Sequence, residues 1–171
     1  MSEAHACSLF VRLPAGAGFD DALARALKDP EVASLLLPAD LPDDIARSAV
    51  QRIQAADRPA LIIDDVDRRG ALQADGVHLT DAARVHATRA KLGDGLVLGA
   101  ECPLERHACM VAAEDGADYV AVHVTADTLP AAEELLGWWL EMMTTPIVAL
   151  VDEPLDVSRL RAHADFVSPP S

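Results

Sequence analysis

Short apolar runs rich in β-branched residues alternate along this chain with longer amphipathic stretches, the pattern of repeated strand-helix units. Strands are predicted at Ser8–Leu13, Ala33–Leu37, Ala60–Ile63, Gly76–Leu79, Gly95–Gly99, Tyr119–Val124, Pro146–Val151 and Asp165–Val167. Between them, helices are predicted at Asp20–Lys28, Pro42–Ala56, Arg68–Gln73, Asp81–Leu92, Leu104–Glu114, Leu129–Met143 and Val157–His163. Pro42 suits a first helical position, and Asp43 and Asp44 complement the dipole of the helix they open. In Asp81–Leu92 the apolar positions Ala82, Val85 and Ala90 are only loosely periodic, so that helix rests on alanine content and length.

A weak internal repeat supports the order. Ala74-Asp75-Gly76-Val77, Ala117-Asp118-Tyr119-Val120 and Ala164-Asp165-Phe166-Val167 each stand where a helix hands over to a strand, at the fourth, sixth and eighth strands. Their aspartates suit turn and capping work on the face opposite an active site. The fold class is α/β, a single-domain (β/α)8 TIM-type barrel over residues 1–171. Such barrels typically take about 250 residues, and here Pro169-Pro170-Ser171 follow the eighth strand directly, so a last helix is missing from the prediction. The alternatives are an open doubly wound sheet, or a barrel whose uncovered edge a partner subunit closes.

Composition narrows the chemistry. Hydrophobic residues make up 51% and aromatics only 4%, so the core is built from Ala, Leu, Val and Ile. A formal net charge of -14 repels nucleic acid and anionic membranes. Only Lys28 and Lys91 are lysines, both in predicted helices, which leaves few candidates for a phosphate contact. No basic, then apolar leader opens the chain and no run approaches a membrane span of about 18 residues, so a cytoplasmic protein is expected. Cys7, Cys102 and Cys109 imply no disulfide framework. The helix carrying Leu135, Leu136, Trp138, Trp139, Leu140, Met142 and Met143 is apolar around much of its circumference, which suggests a homo-oligomer through Trp138 and Trp139.

Several side chains are candidates for a site. His78 and His123 fall on the fourth and sixth strands, and imidazole is suited to proton transfer near neutrality. Glu101, Cys102, His107 and Cys109 gather around the fifth strand's turn, where zinc and small buried thiols are the competing readings. Arg12, His78 and Glu101 are candidate ligand contacts. No Gly-x-Ser-x-Gly, P-loop or dinucleotide fingerprint is present.

The stretch 60–122 resembles the middle of thiamine-phosphate synthases, and the thiazole tautomerases that share their fold. The residues are Ile62-Ile63-Asp64-Asp65-Val66, Ala74-Asp75-Gly76-Val77-His78-Leu79, Leu98-Gly99 and Asp115-Gly116-Ala117-Asp118-Tyr119-Val120. The resemblance implies a barrel coupling a pyrimidine pyrophosphate to a thiazole phosphate, with Mg2+ on acids after the third and fourth strands. Asp64 matches the first, with Asp65 beside it; Asp81 stands near the second, although the family's acid aligns with Ala83. Capping of the following helix is the other reading of Asp64 and Asp65. A tautomerase-like role falls on His123, one residue from that family's histidine. Several matches fail: Leu37-Pro38-Ala39-Asp40 and Thr125-Ala126-Asp127-Thr128 replace cationic loops, while Asp152-Glu153-Pro154 and Ser168-Pro169-Pro170 replace the glycine turns that hold phosphate. A diverged or inactive member is expected, the alternatives being a non-catalytic small-ligand-binding or regulatory barrel and a tautomerase-like isomerase.

Overall fold

In the computed structural model, residues 5–171 are described. Eight strands, β1 (Ser8–Arg12), β2 (Val32–Leu37), β3 (Ala60–Ile63), β4 (Gly76–Leu79), β5 (Val97–Glu101), β6 (Tyr119–Val124), β7 (Ile147–Val151) and β8 (Phe166–Ser168), pair in sequence order into one closed barrel. Seven helices join them: α1 (Phe19–Lys28), α2 (Asp43–Ala55), α3 (Val66–Leu72), α4 (Val85–Leu92), α5 (Arg106–Glu114), α6 (Leu129–Met142) and α7 (Ser158–Arg161). Closure comes from parallel pairing of Ser8 with Phe166 and Leu9 with Val167, which rules out the open sheet. Among the described residues no helix follows β8, and none is long and apolar enough to cross a membrane.

The alternation along each strand sorts residues between two environments. Phe10, Leu36, Leu61, Tyr119, Ala121, Val148 and Leu150 pack together inside the barrel. Their neighbours in sequence face the helices: Val120, Val122 and Val124 with Leu136 and Trp139 on one side, and Leu35, Leu37, Ala60 and Ile62 with Leu23 and Ile53 on the other. Gly99 makes room for a bulky inward ring, since a Cβ there would lie 1.9 Å from Tyr119 Cζ.

The repeated aspartates turn out to be strand ties. The Oδ2 atoms of Asp75, Asp118 and Asp165 accept the backbone N–H of Ala60 at 2.8 Å, Leu98 at 2.8 Å and Ile147 at 2.9 Å. Each thus fastens an even strand to the start of the odd strand before it, at the amino face, where that N–H would otherwise be unpaired.

The boundaries differ from expectation where turns intervene. Gly93 and Gly95, at φ 77° and 90°, carry the chain through left-handed turns, so β5 begins at Val97 and reaches Glu101. The stretch 81–92 opens with a 3-10 turn at Ala82–Arg84 before α4 begins. On α6, Trp139 is fully buried and donates from Nε1 to Thr145 O at 2.7 Å. Trp138 lies beneath the Arg106 guanidinium, 4.7 Å from its ring centroid, and Met142 is the large apolar side chain the helix leaves exposed.

Candidate functional site

Side chains at or near the ends of β1, β4, β5, β6 and β7 converge on the carboxyl mouth, where barrels of this kind place their chemistry. Here they form one continuous chain. The Arg12 Nη1 atom donates to Asp152 Oδ1 at 3.0 Å, and Asp152 Oδ2 lies 2.8 Å from His123 Nδ1. His123 Nε2 is 2.7 Å from Glu101 Oε2, and the other Glu101 oxygen is 3.0 Å from His78 Nε2. His78 Nδ1 meets the Tyr119 hydroxyl at 2.6 Å, at the barrel centre. The sequence candidates Arg12, His78, Glu101 and His123 are therefore brought together. Asp152, Tyr119 and Ser168 join them without having been singled out as ligands or catalysts.

Hydrogen-bond logic fixes the proton positions in this chain. Burial pushes the Glu101 carboxyl up, but hydrogen bonds from His78 and His123 and the charge near it win, bringing its pKa down to about 2. Glu101 is thus an acceptor only. His123 faces carboxylate oxygens with both ring nitrogens, so both nitrogens must carry hydrogen. Burial works against that charge, yet the bonds to Glu101 and Asp152 outweigh it and raise the His123 pKa above its ordinary value. The charges Arg12, Asp152, His123 and Glu101 then alternate in sign, and His123 is an imidazolium with its side chain 45% exposed.

Arg12 is held by contacts from three of its nitrogens. Its Nε donates to Ser168 Oγ at 2.9 Å and its Nη2 to Val151 O at 2.5 Å, Ser168 O at 3.3 Å and Pro169 O at 3.5 Å. It therefore bridges the β7 and β8 turns. The Glu153 carboxylate is also spoken for, accepting from Ala126 N. Arg68 is held by Asp43 and the carbonyls of Ala39 and Leu41, and Arg106 by Glu134.

Asp64, Asp65 and Asp81 do not assemble into a cation site. Asp64, at φ 54°, accepts from Thr80 N at 2.9 Å, Thr80 Oγ1 at 2.5 Å and Arg84 Nη1 at 3.1 Å. Asp65 caps α3 through Arg68 N at 2.8 Å, and Asp81 caps the 3-10 turn through Ala83 N at 2.9 Å. Magnesium needs several free oxygens in octahedral array, whereas both Asp64 oxygens are engaged by N–H, O–H and guanidinium donors, and Asp65 and Asp81 each give one oxygen to a backbone N–H. Among the described residues no group of three His, Cys, Asp or Glu is placed to hold a metal ion. The residues present therefore do not fit Mg2+. The zinc cluster also dissolves: Cys102 and Cys109 point their sulfurs at the carbonyls of Ala100 and Pro103, each at 3.7 Å.

Beside the chain lies a cleft of about 630 Å3, walled by Ala82, Ala83, Pro103 and Val111, with Glu101 and His123 at its edge. No lysine or arginine lines it. It is large enough for a small organic molecule.

Comparison with known proteins agrees with this architecture. Residues 37–155 match the family model described as thiamine monophosphate synthase. A thiamine-phosphate synthase of Rhodospirillum centenum is 32% identical over 95% of this chain and 86% of its own length. One from Hyphomonas neptunium is 37% identical over 63% of this chain, a match that spans 52% of that relative. Among solved structures, a thiamine phosphate pyrophosphorylase from Pyrococcus furiosus superposes with a TM-score of 0.79 at 20% identity, covering 98% of this chain and 87% of that one. A phosphoenolpyruvate phosphomutase from Streptomyces platensis gives a TM-score of 0.67 at 15% identity, covering 95% of this chain and 76% of that one, so the barrel itself is widely shared.

Proposed function

The chain belongs to the thiamine monophosphate synthase family, and we propose that it is a diverged member that no longer joins a pyrimidine pyrophosphate to a thiazole phosphate. In its place the mouth binds a small ligand without a phosphate and serves it as a proton donor through His123. The observation that carries this reading is the alternating chain Arg12, Asp152, His123, Glu101. It consumes the charge at the mouth internally, and leaves an imidazolium as the group presented to a ligand.

The coupling reaction needs positive charge or free amides around two phosphorylated halves. At the β7 and β8 turns this chain offers carboxylates and prolines. Its Arg12 already spans the gap where a phosphate would be cradled, and a dianion entering there would have to displace Asp152 and the Ser168 carbonyl. Arg12 and Asp152 are partly exposed, so the obstacle is the loss of several contacts at once rather than one large ion-pair term. A ligand with a neutral acceptor atom leaves Arg12 and its contacts to the β7 and β8 turns in place. It replaces one carboxylate contact of His123, and the proton on that nitrogen lies within reach of it.

Incubation with pyrimidine pyrophosphate, thiazole phosphate and Mg2+ tests the negative half: no thiamine phosphate is expected, and its formation would end this reading. The positive half is read by NMR of the His123 ring while unphosphorylated thiazole and aminopyrimidine are added. Shifts at His123 that saturate are expected; a ring indifferent to both probes removes the site.

A further inference from the structure

His123 owes its proton to its two carboxylate neighbours, but a second imidazole lies beneath it with no part in that pairing. His78 is fully buried, and its ring packs 5.8 Å from those of both Phe10 and Tyr119, so water does not reach it. A buried histidine is costly unless every nitrogen is satisfied. Here both are, and in a directed way. Because Glu101 can only accept, His78 donates from Nε2; in a ring with a single hydrogen Nδ1 is then the acceptor, and the Tyr119 hydroxyl donates to it. Tyr119 is held as the neutral phenol by burial and by the negative charge of Glu101, which push its pKa well up.

From this geometry we infer that His78, with its tautomer fixed by Tyr119, is the positioning residue of the site: it pins one oxygen of Glu101 so that the other holds His123 as an imidazolium. The inference rests on the proposed acid role of His123 and says what sets it. Glu101 stands at the end of β5 with two oxygens and two imidazoles, one from β4 and one from β6. Nothing else among the described residues donates to that carboxylate. Without His78 the carboxylate is free to turn about its side chain toward the open cleft, and the 2.7 Å contact to His123 is lost.

The remaining groups around the pair are accounted for. Asp152 from β7 stays on the far side of the His123 ring, braced by Arg12 from β1. Asp64, after β3, is turned toward Thr80 and Arg84, and the inward residues of β2 and β3 are Leu36, Leu61 and Ile63. Among the described residues no other titratable group bonds to Glu101 in place of His78. Second partners that fix the orientation of a ligand or a base are a recurrent device, and here the partner is reached through a carboxylate.

The test is an NMR titration of the His123 ring in the ligand-free chain, comparing wild type with three variants. His78→Gln keeps an N–H at the Nε2 position and is expected to leave the His123 midpoint near the wild-type value. His78→Leu removes the donor, and the midpoint is expected to fall toward that of a free imidazole. Tyr119→Phe deletes one oxygen, frees the His78 tautomer, and is expected to shift the midpoint in the same direction by less. A midpoint unmoved or raised in both His78→Leu and Tyr119→Phe overturns the inference, as does a fall in His78→Gln equal to that in His78→Leu. Thermal melts of each variant separate misfolding from positioning. Tyr119→Phe, the smallest change, decides the matter should His78→Leu fail to fold. Since no ligand is added, failure to bind thiazole or aminopyrimidine would reject the proposed function without touching this result, and the reverse also holds.

Discussion

Replacing Glu101 by Gln removes the charge that links the two histidines, and its effect on stability can be worked from the structure. The carboxyl's pKa falls from 4.5 to about 2 on folding. At about 1.4 kcal/mol for each tenfold change in proton affinity, that corresponds to an upper bound of about 3.5 kcal/mol at neutral pH. The side chain is 20% exposed and its partner His123 more so, and solvent screening brings the expected loss to about 1–2 kcal/mol. The sign follows from the depressed value. The stabilisation is present in full above pH 4.5 and is lost as the pH falls toward 2, because the folded state resists a proton that the unfolded state takes up. Urea unfolding of wild type and Glu101→Gln at pH 7, 4.5 and 3 reads both quantities. Wild type is expected to lose more stability than the variant between the two lower values, so that the difference between them narrows. Equal stability at pH 7, or parallel curves down to pH 3, would refute the reasoning.

Three further outcomes follow from other parts of the barrel. Asp165→Ala leaves the buried N–H of Ile147 without an acceptor and is expected to cost about 1–3 kcal/mol, measured by thermal or urea unfolding. Gly99→Ala places a Cβ 1.9 Å from Tyr119 Cζ; an overpacking loss of about 1–3 kcal/mol is expected, together with a changed Tyr119 near-ultraviolet signal. The charge of His123 is raised by its carboxylates, so its contribution to stability is complete below its unfolded value and fades as the pH rises through the folded one. In His123→Gln that alkaline decline is expected to disappear from a stability profile taken between pH 6 and 9.

Much of the barrel was legible in the sequence because its signals are local. Alternation placed β3, β4 and β6 at their observed limits, and the three Ala-Asp pairs marked even strands, although only the structure shows that their carboxylates tie down Ala60, Leu98 and Ile147. The site was legible in part. Arg12, His78, Glu101 and His123 were all candidates, but nothing in their spacing says that they touch, because the meeting of inward side chains depends on the stagger between strands. Asp152 stands in the sequence as part of a turn without the phosphate-holding glycines, and it is also the second brace of His123. Tyr119 sat inside a strand motif, and its role depends on Gly99 leaving space beside it. Asp64 and Asp65 are adjacent in sequence and offer themselves together as metal candidates. The left-handed turn at Asp64 sends one carboxylate to Thr80 and Arg84 and leaves the other to cap α3.

The most direct measurement is calorimetric titration of the chain with inorganic pyrophosphate in the presence of Mg2+. With Arg12 held by Asp152, Ser168 and the β7 and β8 carbonyls, no saturable heat is predicted at millimolar pyrophosphate. One-to-one binding at micromolar concentration, abolished in Arg12→Ala, would show that the mouth releases its arginine to an anion and would contradict the account.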